Sequence, residues 1–209
     1  MTGSADIFDG GRKLPVMEEF YSIQGEGFNM GKAAYFLRIG GCDVGCSWCD
    51  SKESWNADLF PPVDVDPIIQ RIVHAPAKTV VITGGEPSNY PLDYLTSELK
   101  RKGVQTMIET SGTNALTGQW DWICLSPKQF QPPLEENLKR ADELKVIIQK
   151  PADLKWAEKN ALKVSEKCLL FLQPEWSVVN EVMETITGYV MDHPEWRVSL
   201  QAHKYMNIP

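Results

Sequence analysis

The sequence predicts an α/β fold, a partial and open TIM-like barrel of about six parallel strands with flanking helices. Short, β-branched, nearly continuous apolar runs recur along the chain, the pattern of strands buried on both faces of a parallel sheet. Helical patterns lie between them, which calls for right-handed crossovers. The chain's 209 residues fit one domain, yet fall short of the roughly 250 that a closed eight-stranded barrel needs.

Residues 1–13 are polar and Gly-rich and read as a flexible leader without an apolar signal core; residues 14–209 read as a single domain. Glu19–Gly27 reads as a Gly-containing loop before the first strand, Ala33–Ile39. Strands follow at Lys78–Thr83, Val104–Glu109, Trp120–Leu125, Glu143–Ile148, Lys167–Leu172 and Arg197–Leu200. Between them, Pro91–Lys102 opens with Pro and stops at Gly103, the expected punctuation of a helix. Asp153–Leu162 and Ser177–Met191 are similar.

The net charge of −7 argues against a nucleic-acid surface, which is usually basic, and favours small substrates or protein partners. No run of about 18 apolar residues suggests a membrane span. The expected location is cytoplasmic, with thiols reduced.

The chemistry centres on Cys42, Cys46 and Cys49, spaced C-x3-C-x2-C. Three thiolates from one short loop suit an iron–sulfur cube, and since a [4Fe–4S] cluster normally takes four cysteines, three leave one iron open to a reactant. A structural zinc site would instead show two CxxC pairs or a Cys pair and a His pair. Cys124 and Cys168 stand alone in apolar runs and read as buried hydrophobes.

The unusual residues fall at strand ends, where such folds keep their chemistry. Thr83-Gly84-Gly85-Glu86-Pro87 follows one strand, its two glycines allowing the backbone to approach a ligand. Glu109-Thr110-Ser111-Gly112-Thr113 offers hydroxyls and a carboxylate, Ser126-Pro127-Lys128 a point charge, and Gln173-Pro174-Glu175-Trp176 a further polar turn. In Gln24-Gly25-Glu26-Gly27, amide, carboxylate and backbone groups could meet a nitrogen heterocycle. Glu109 is a candidate for contacts near the centre; His203, lone and near a terminus, is assigned no chemistry.

The cysteine loop with an aromatic before its last cysteine, followed by strand and GGEP, resembles the radical S-adenosylmethionine enzymes. The QGEG loop, the Cys49-Asp50-Ser51 ending, the SPK strand end and the terminal His203-Lys-Tyr-Met-Asn-Ile-Pro209 narrow the likeness to the 7-carboxy-7-deazaguanine synthases, over about Pro15 to Pro209. The resemblance implies a radical SAM core that contracts the ring of 6-carboxy-5,6,7,8-tetrahydropterin and releases ammonia, in queuosine and 7-deazapurine biosynthesis. It implies a [4Fe–4S] cluster on Cys42, Cys46 and Cys49, with no catalytic side chain assigned beyond the cluster. S-adenosylmethionine contacts carry over to Ser47, Trp48, Gly85, Ser111, Ser126, Pro127, Lys128, Gln173, Pro174, Glu175 and Trp176. Substrate contacts carry over to Ile23, Gln24, Gly25, Arg38, Thr83 and the terminal carboxylate of Pro209. Mg²⁺ would sit on the hydroxyl of Ser51, where the family more usually has Thr.

The same resemblance implies an electron donor such as flavodoxin or ferredoxin and a homodimer, for which exposed-looking Trp55 and Trp156 could supply surface. The alternatives are a glycyl-radical-enzyme activase, which shares the cysteine spacing but lacks the QGEG loop and the His-Lys ending, and a non-enzymatic zinc-binding module.

Overall fold

A computed structural model describes residues 6–209, and by contacts the chain divides into two compact units interleaved along the sequence. One comprises the residues up to Tyr21 with 34–108 and 116–121; the other comprises 22–33, 109–115 and 122–209.

In the first unit lie β1 (Lys13–Leu14), most of β2 (Val16–Ile23) and β3 (Ala33–Ile39), β4 (Val63–Asp64), α1 (Asp66–His74), β5 (Thr79–Gly84), α2 (Asp93–Arg101) and the start of β6 (Gln105–Thr110). β1 and β4 form a small antiparallel pair. The main sheet of this unit runs β2-β3-β5-β6, with β3, β5 and β6 parallel. Leu37, Ile39, Val80 and Ile82 in the strands are fully buried, as are Leu95 and Leu99 of α2. α2 stops where its sequence punctuation says it should, Gly103 N–H donating to the Lys100 carbonyl at 3.0 Å.

The second unit holds the last two residues of β6, then β7 (Trp122–Leu125), α3 (Glu135–Arg140), β8 (Glu143–Ile148), α4 (Leu154–Ala161), β9 (Leu169–Pro174), α5 (Val179–Asp192), β10 (Trp196–Val198) and α6 (Ala202–Met206). Its sheet runs β6-β7-β8-β9-β10, with β7 through β10 parallel. Leu144, Val146 and Ile148 send one face of β8 into a core shared with Ala157 of α4 and Val182 and Ile186 of α5. Alternating strands and helices with an open strand order are therefore the architecture. Cys124 and Cys168 are buried, as their apolar surroundings suggest.

Several details differ from the sequence reading. Glu19–Ile23 is the end of β2 and not loop; the loop begins at Gln24. β2 ends the strand order and is only half-buried, so it carries acidic residues on an edge that has no need of a continuous apolar run. Helices α1, α3 and α6 were not expected from the sequence. Of the expected leader, residues 1–5 lie outside the described residues; Asp9–Gly11 form a 3-10 turn and Phe8 meets Tyr90 edge to face at 5.2 Å. Trp55 and Trp156 are half-buried, not exposed: Trp156 packs against the core of the second unit and donates to the Pro127 carbonyl at 3.4 Å. Among the described residues no helix is long and apolar enough to cross a membrane.

Candidate functional site

In the first unit the cysteine loop leaves the end of β3 and is locked to the end of β5. Gly85 N–H donates to the Ile39 carbonyl and Glu86 N–H to the Gly41 carbonyl, both at 2.8 Å. A Cβ on Gly85 would stand 2.2 Å from the Gly41 carbonyl oxygen and 3.0 Å from the Cys42 Cβ. The close approach that the glycine pair permits is thus first of all to the chain's own cysteine loop. Tyr90 adds a hydroxyl bond to the Gly40 carbonyl at 2.8 Å, and Asn89 reaches Asp43 at 3.1 Å. The 3-10 turn that follows, Pro87–Asn89, is capped by the buried carboxyl of Glu86, which accepts from Ser88 N–H at 2.9 Å.

Cys42, Cys46 and Cys49 are not tied up in disulfides among the described residues. Burial pushes the Cys42 thiol up, against the pull of the Gly45 and Val44 backbone N–H groups that point at its sulfur. Ser51 N–H donates to the Cys49 sulfur at 3.4 Å, and the Cys49 N–H returns to the Cys46 carbonyl at 3.0 Å. Among the described residues no group of three His, Cys, Asp or Glu side chains is gathered so as to hold a metal ion. That does not count against a cluster, because three thiolates on three different irons of a cube need not converge on one point. Thiols outside any disulfide, sulfur-directed backbone N–H groups and a glycine-tight support fit an iron–sulfur cluster by donor chemistry.

Also in this unit, Arg38 and Thr83 are register partners in the parallel β3–β5 pair, which puts their side chains side by side on one face. Arg38 Nε donates to Glu18 at 2.7 Å, an anchor that orients the guanidinium plane while its terminal nitrogens carry the remaining donors. The Ser51 carbonyl accepts from Ser54 N–H at 3.0 Å and Ser54 hydroxyl at 2.6 Å.

In the second unit the Gln24–Lys32 loop closes on itself through Gln24 N–H to Lys32 and Gly31 N–H to Gln24, both at 2.8 Å. It is then fastened by buried polar groups. Gln24 Nε2 donates to Glu109 Oε1 at 2.7 Å, and Glu26 N–H donates to Gln24 Oε1 at 3.1 Å. The Lys145 ammonium pairs with Glu26 and, at 3.3 Å, with Glu109; Gln201 donates to Glu26 at 2.9 Å. Burial alone would raise Glu26, but the Lys145 charge and the bonds from Lys145, Gln201 and Gln173 more than offset it and hold the carboxyl at about 2. Lys145 is depressed by burial and raised further by the surrounding acidic groups, ending well above its ordinary value.

Glu143, also buried, accepts from Phe28 N–H at 3.2 Å and Trp122 indole N–H at 3.0 Å, while its other oxygen, Oε1, has no hydrogen-bond partner among the described residues. Burial is the main reason its carboxyl is raised. Phe28 stacks on Trp122 with ring centres 4.9 Å apart.

Of the other expected site residues in this unit, Gln173 is buried and accepts from the Ser199 hydroxyl at 2.7 Å, so its side chain is spent on holding the loop: Ser199 itself receives Gly27 N–H at 2.9 Å. Glu175 accepts from Ser177 N–H at 3.0 Å and caps the turn carrying Trp176. Lys128 donates to the Ser126 carbonyl and hydroxyl at 2.7 Å, and the Ser111 hydroxyl lies 3.2 Å from that of Thr113. Ser22, beside Ile23, donates to the Pro209 main-chain oxygen at 3.3 Å. His203 packs where a Cβ on Gly25 would fall 2.3 Å from its Nδ1. Glu143, Lys145 and Ser199 read from the sequence only as strand residues, and Gln201 only as the start of a polar strand end. Two charges at alternate positions of the otherwise apolar run Glu143–Ile148 were the available signal for the first two.

A family profile described as the Radical SAM superfamily matches residues 37–149. Curated 7-carboxy-7-deazaguanine synthases are similar along nearly all of the chain. That of Flavobacterium psychrophilum is 55% identical over 199 residues, covering 95% of this chain and 94% of its own. The Escherichia coli K12 protein is 32% identical, covering 94% and 99%. The crystal structure of QueE from Escherichia coli superposes with a TM-score of 0.81 at 28% identity, covering 96% of this chain and all of that one. Neither an activase nor a zinc module is favoured by these relatives. The locked cysteine loop and the fastened QGEG loop are thus features of a radical SAM enzyme, and the chain belongs to the 7-carboxy-7-deazaguanine synthase family.

Proposed function

We propose that this chain converts 6-carboxy-5,6,7,8-tetrahydropterin to 7-carboxy-7-deazaguanine and ammonia, a redox-neutral ring contraction in the queuosine and 7-deazapurine pathway that supplies tRNA modification. The observation that carries the substrate reading is the Gln24–Gly27 loop, whose amide and neighbouring carboxyls are fixed by buried bonds before any ligand arrives. Such preorganised polar groups suit a flat, donor-rich heterocycle.

Cys42, Cys46 and Cys49 would hold the cluster, which when bound supplies the electron that cleaves S-adenosylmethionine to a 5′-deoxyadenosyl radical. The chain's own groups bind and orient. Gly85 and the Ser47-Trp48 backbone would meet the methionine end of the cofactor; Ser111, Ser126-Pro127-Lys128 and the backbone of Gln173–Trp176 would meet the rest. Ile23, Gln24, Gly25, Thr83 and Pro209 would hold the pterin, and Arg38 would fork its terminal nitrogens onto the substrate carboxylate. The Ser51 hydroxyl would be the protein's ligand to Mg²⁺, completed by substrate and water as is usual for this ion. A cytoplasmic homodimer reduced by a flavodoxin or ferredoxin is the setting we infer.

The test is an anaerobic reaction of reconstituted protein with reductant, Mg²⁺, S-adenosylmethionine and the pterin, read by mass spectrometry. Product that disappears in Cys46→Ala supports the reading. Formation of 5′-deoxyadenosine without the deazaguanine removes the substrate assignment.

A further inference from the structure

β8 buries Glu143 and Lys145 on the face opposite to Leu144, Val146 and Ile148. Charged groups placed two residues apart in a buried strand persist only if each finds partners there. Lys145 finds two carboxyls, Glu26 and Glu109, and these bonds close a ring. From Lys145 the path runs through Glu26, whose N–H donates to Gln24 Oε1. It continues through Gln24 Nε2 to Glu109 Oε1, and from Glu109 Oε2 back to the ammonium. A carboxylate can only accept and a backbone N–H can only donate, so the ring admits one orientation of the Gln24 amide. Gln201 closes the remaining Glu26 oxygen.

We propose that Lys145 is the positioning residue of the QGEG loop: by holding Glu26 and Glu109 on one cation it fixes the Gln24 amide in a single orientation and thereby sets affinity for the heterocyclic substrate. The inference rests on the reading that Gln24 and Gly25 bind the pterin. Lys145 itself is 3% exposed and acts through the two acids rather than by touching the ligand. Glu109, with a quarter of its side chain exposed, and Gln24 carry the effect outward.

The experiment compares reconstituted wild-type enzyme with Lys145→Met and Lys145→Arg by hydrogen exchange over Gln24–Gly27 and by steady-state kinetics. Lys145→Met should speed exchange in that segment about tenfold and raise the KM for the pterin at least tenfold, with the KM for S-adenosylmethionine within twofold. Lys145→Arg, which keeps the cation, should recover most of both. If the methionine variant does not fold, Lys145→Met/Glu26→Gln removes the stranded buried acid and should show the same fast exchange. Exchange and pterin KM within twofold of wild type, or equal rises in both KM values, would overturn the proposal. Faster exchange in the variant of a wild-type enzyme that does not turn over the pterin would support the positioning role and refute the substrate reading instead.

Discussion

Gly27 has no side chain because Glu143 occupies the space one would take: a Cβ there would lie 1.9 Å from Glu143 Oε1. The backbone at Gly27 also has φ +63°, a left-handed conformation that costs an L-residue about 1–2 kcal/mol. Gly27→Ala should therefore destabilise the protein by at least about 2 kcal/mol, since strain and displacement of a buried acid add. Urea unfolding measures it, and a midpoint unchanged from wild type would show that the loop yields freely.

Glu143 itself gives the protein a pH dependence of definite sign. Burial raises its carboxyl above the ordinary value of 4.5, so the folded chain keeps a proton that the unfolded chain has already released. Its contribution is complete below the unfolded value and is lost as pH rises through the raised folded one. Glu143→Gln, which cannot ionise, should lose less stability than wild type between pH 5 and pH 8. Thermal unfolding at the two pH values checks this, and parallel losses in both proteins would contradict it.

Glu26 works in the opposite direction. Held at about 2 against an ordinary 4.5, it stabilises the fold above the unfolded value, and that stabilisation disappears as pH falls through the folded one. The shift corresponds to at most on the order of 3 kcal/mol. The stability gap between wild type and Glu26→Gln should accordingly be widest near pH 6 and narrow steadily toward pH 3. A gap independent of pH would mean that the Lys145 pair contributes nothing through charge.

The parts of the site that sequence could reveal are those in which chemistry and position are local. Cys42, Cys46 and Cys49 lie within eight residues, and Gly84-Gly85 follows its strand directly, so spacing alone carries them. The neighbourhood of Arg38 and Thr83 depends on the register of β3 against β5, which no local pattern encodes. Lys145 and Glu26 are 119 residues apart, and Gln201 and Glu26 are 175 apart. β8 was legible as a buried strand from its apolar residues, yet its two charges announce their purpose only once the loop they hold is in place. β2 is hidden for a related reason: an edge strand with Glu18 and Glu19 on it, pairing with Arg38 and Arg71, looks like loop when only its hydrophobicity is read.

Gly85 links the two local motifs of the first unit. Its missing side chain lets the β5 end touch Gly41 and Cys42, so Gly85→Ala would push the cysteine loop out by the width of a methyl group. The expected result is a chain that folds but takes up less than half the iron of wild type on reconstitution, with the broad visible absorbance reduced in proportion. Full iron loading in Gly85→Ala would show that the loop holds its cysteines without this support.

The end of the chain provides the last prediction. After α6, Asn207 turns the backbone with φ +54°, a conformation that Asn tolerates better than most residues. Ile208 N–H then returns to the His203 carbonyl at 3.2 Å, and the Pro209 oxygen receives the Ser22 hydroxyl at 3.3 Å. These bonds bring Pro209 to Ser22, two residues before the QGEG loop in sequence. A carboxylate at that position would accept from the guanidine-like edge of a pterin. Residues appended after Pro209 would turn the carboxylate into an amide and crowd the same space. A C-terminal tag should thus raise the KM for the pterin about tenfold or more while the affinity for S-adenosylmethionine stays put. Cleaving the tag should restore the lower KM, whereas tagged and untagged enzyme with the same KM would remove Pro209 from the substrate site.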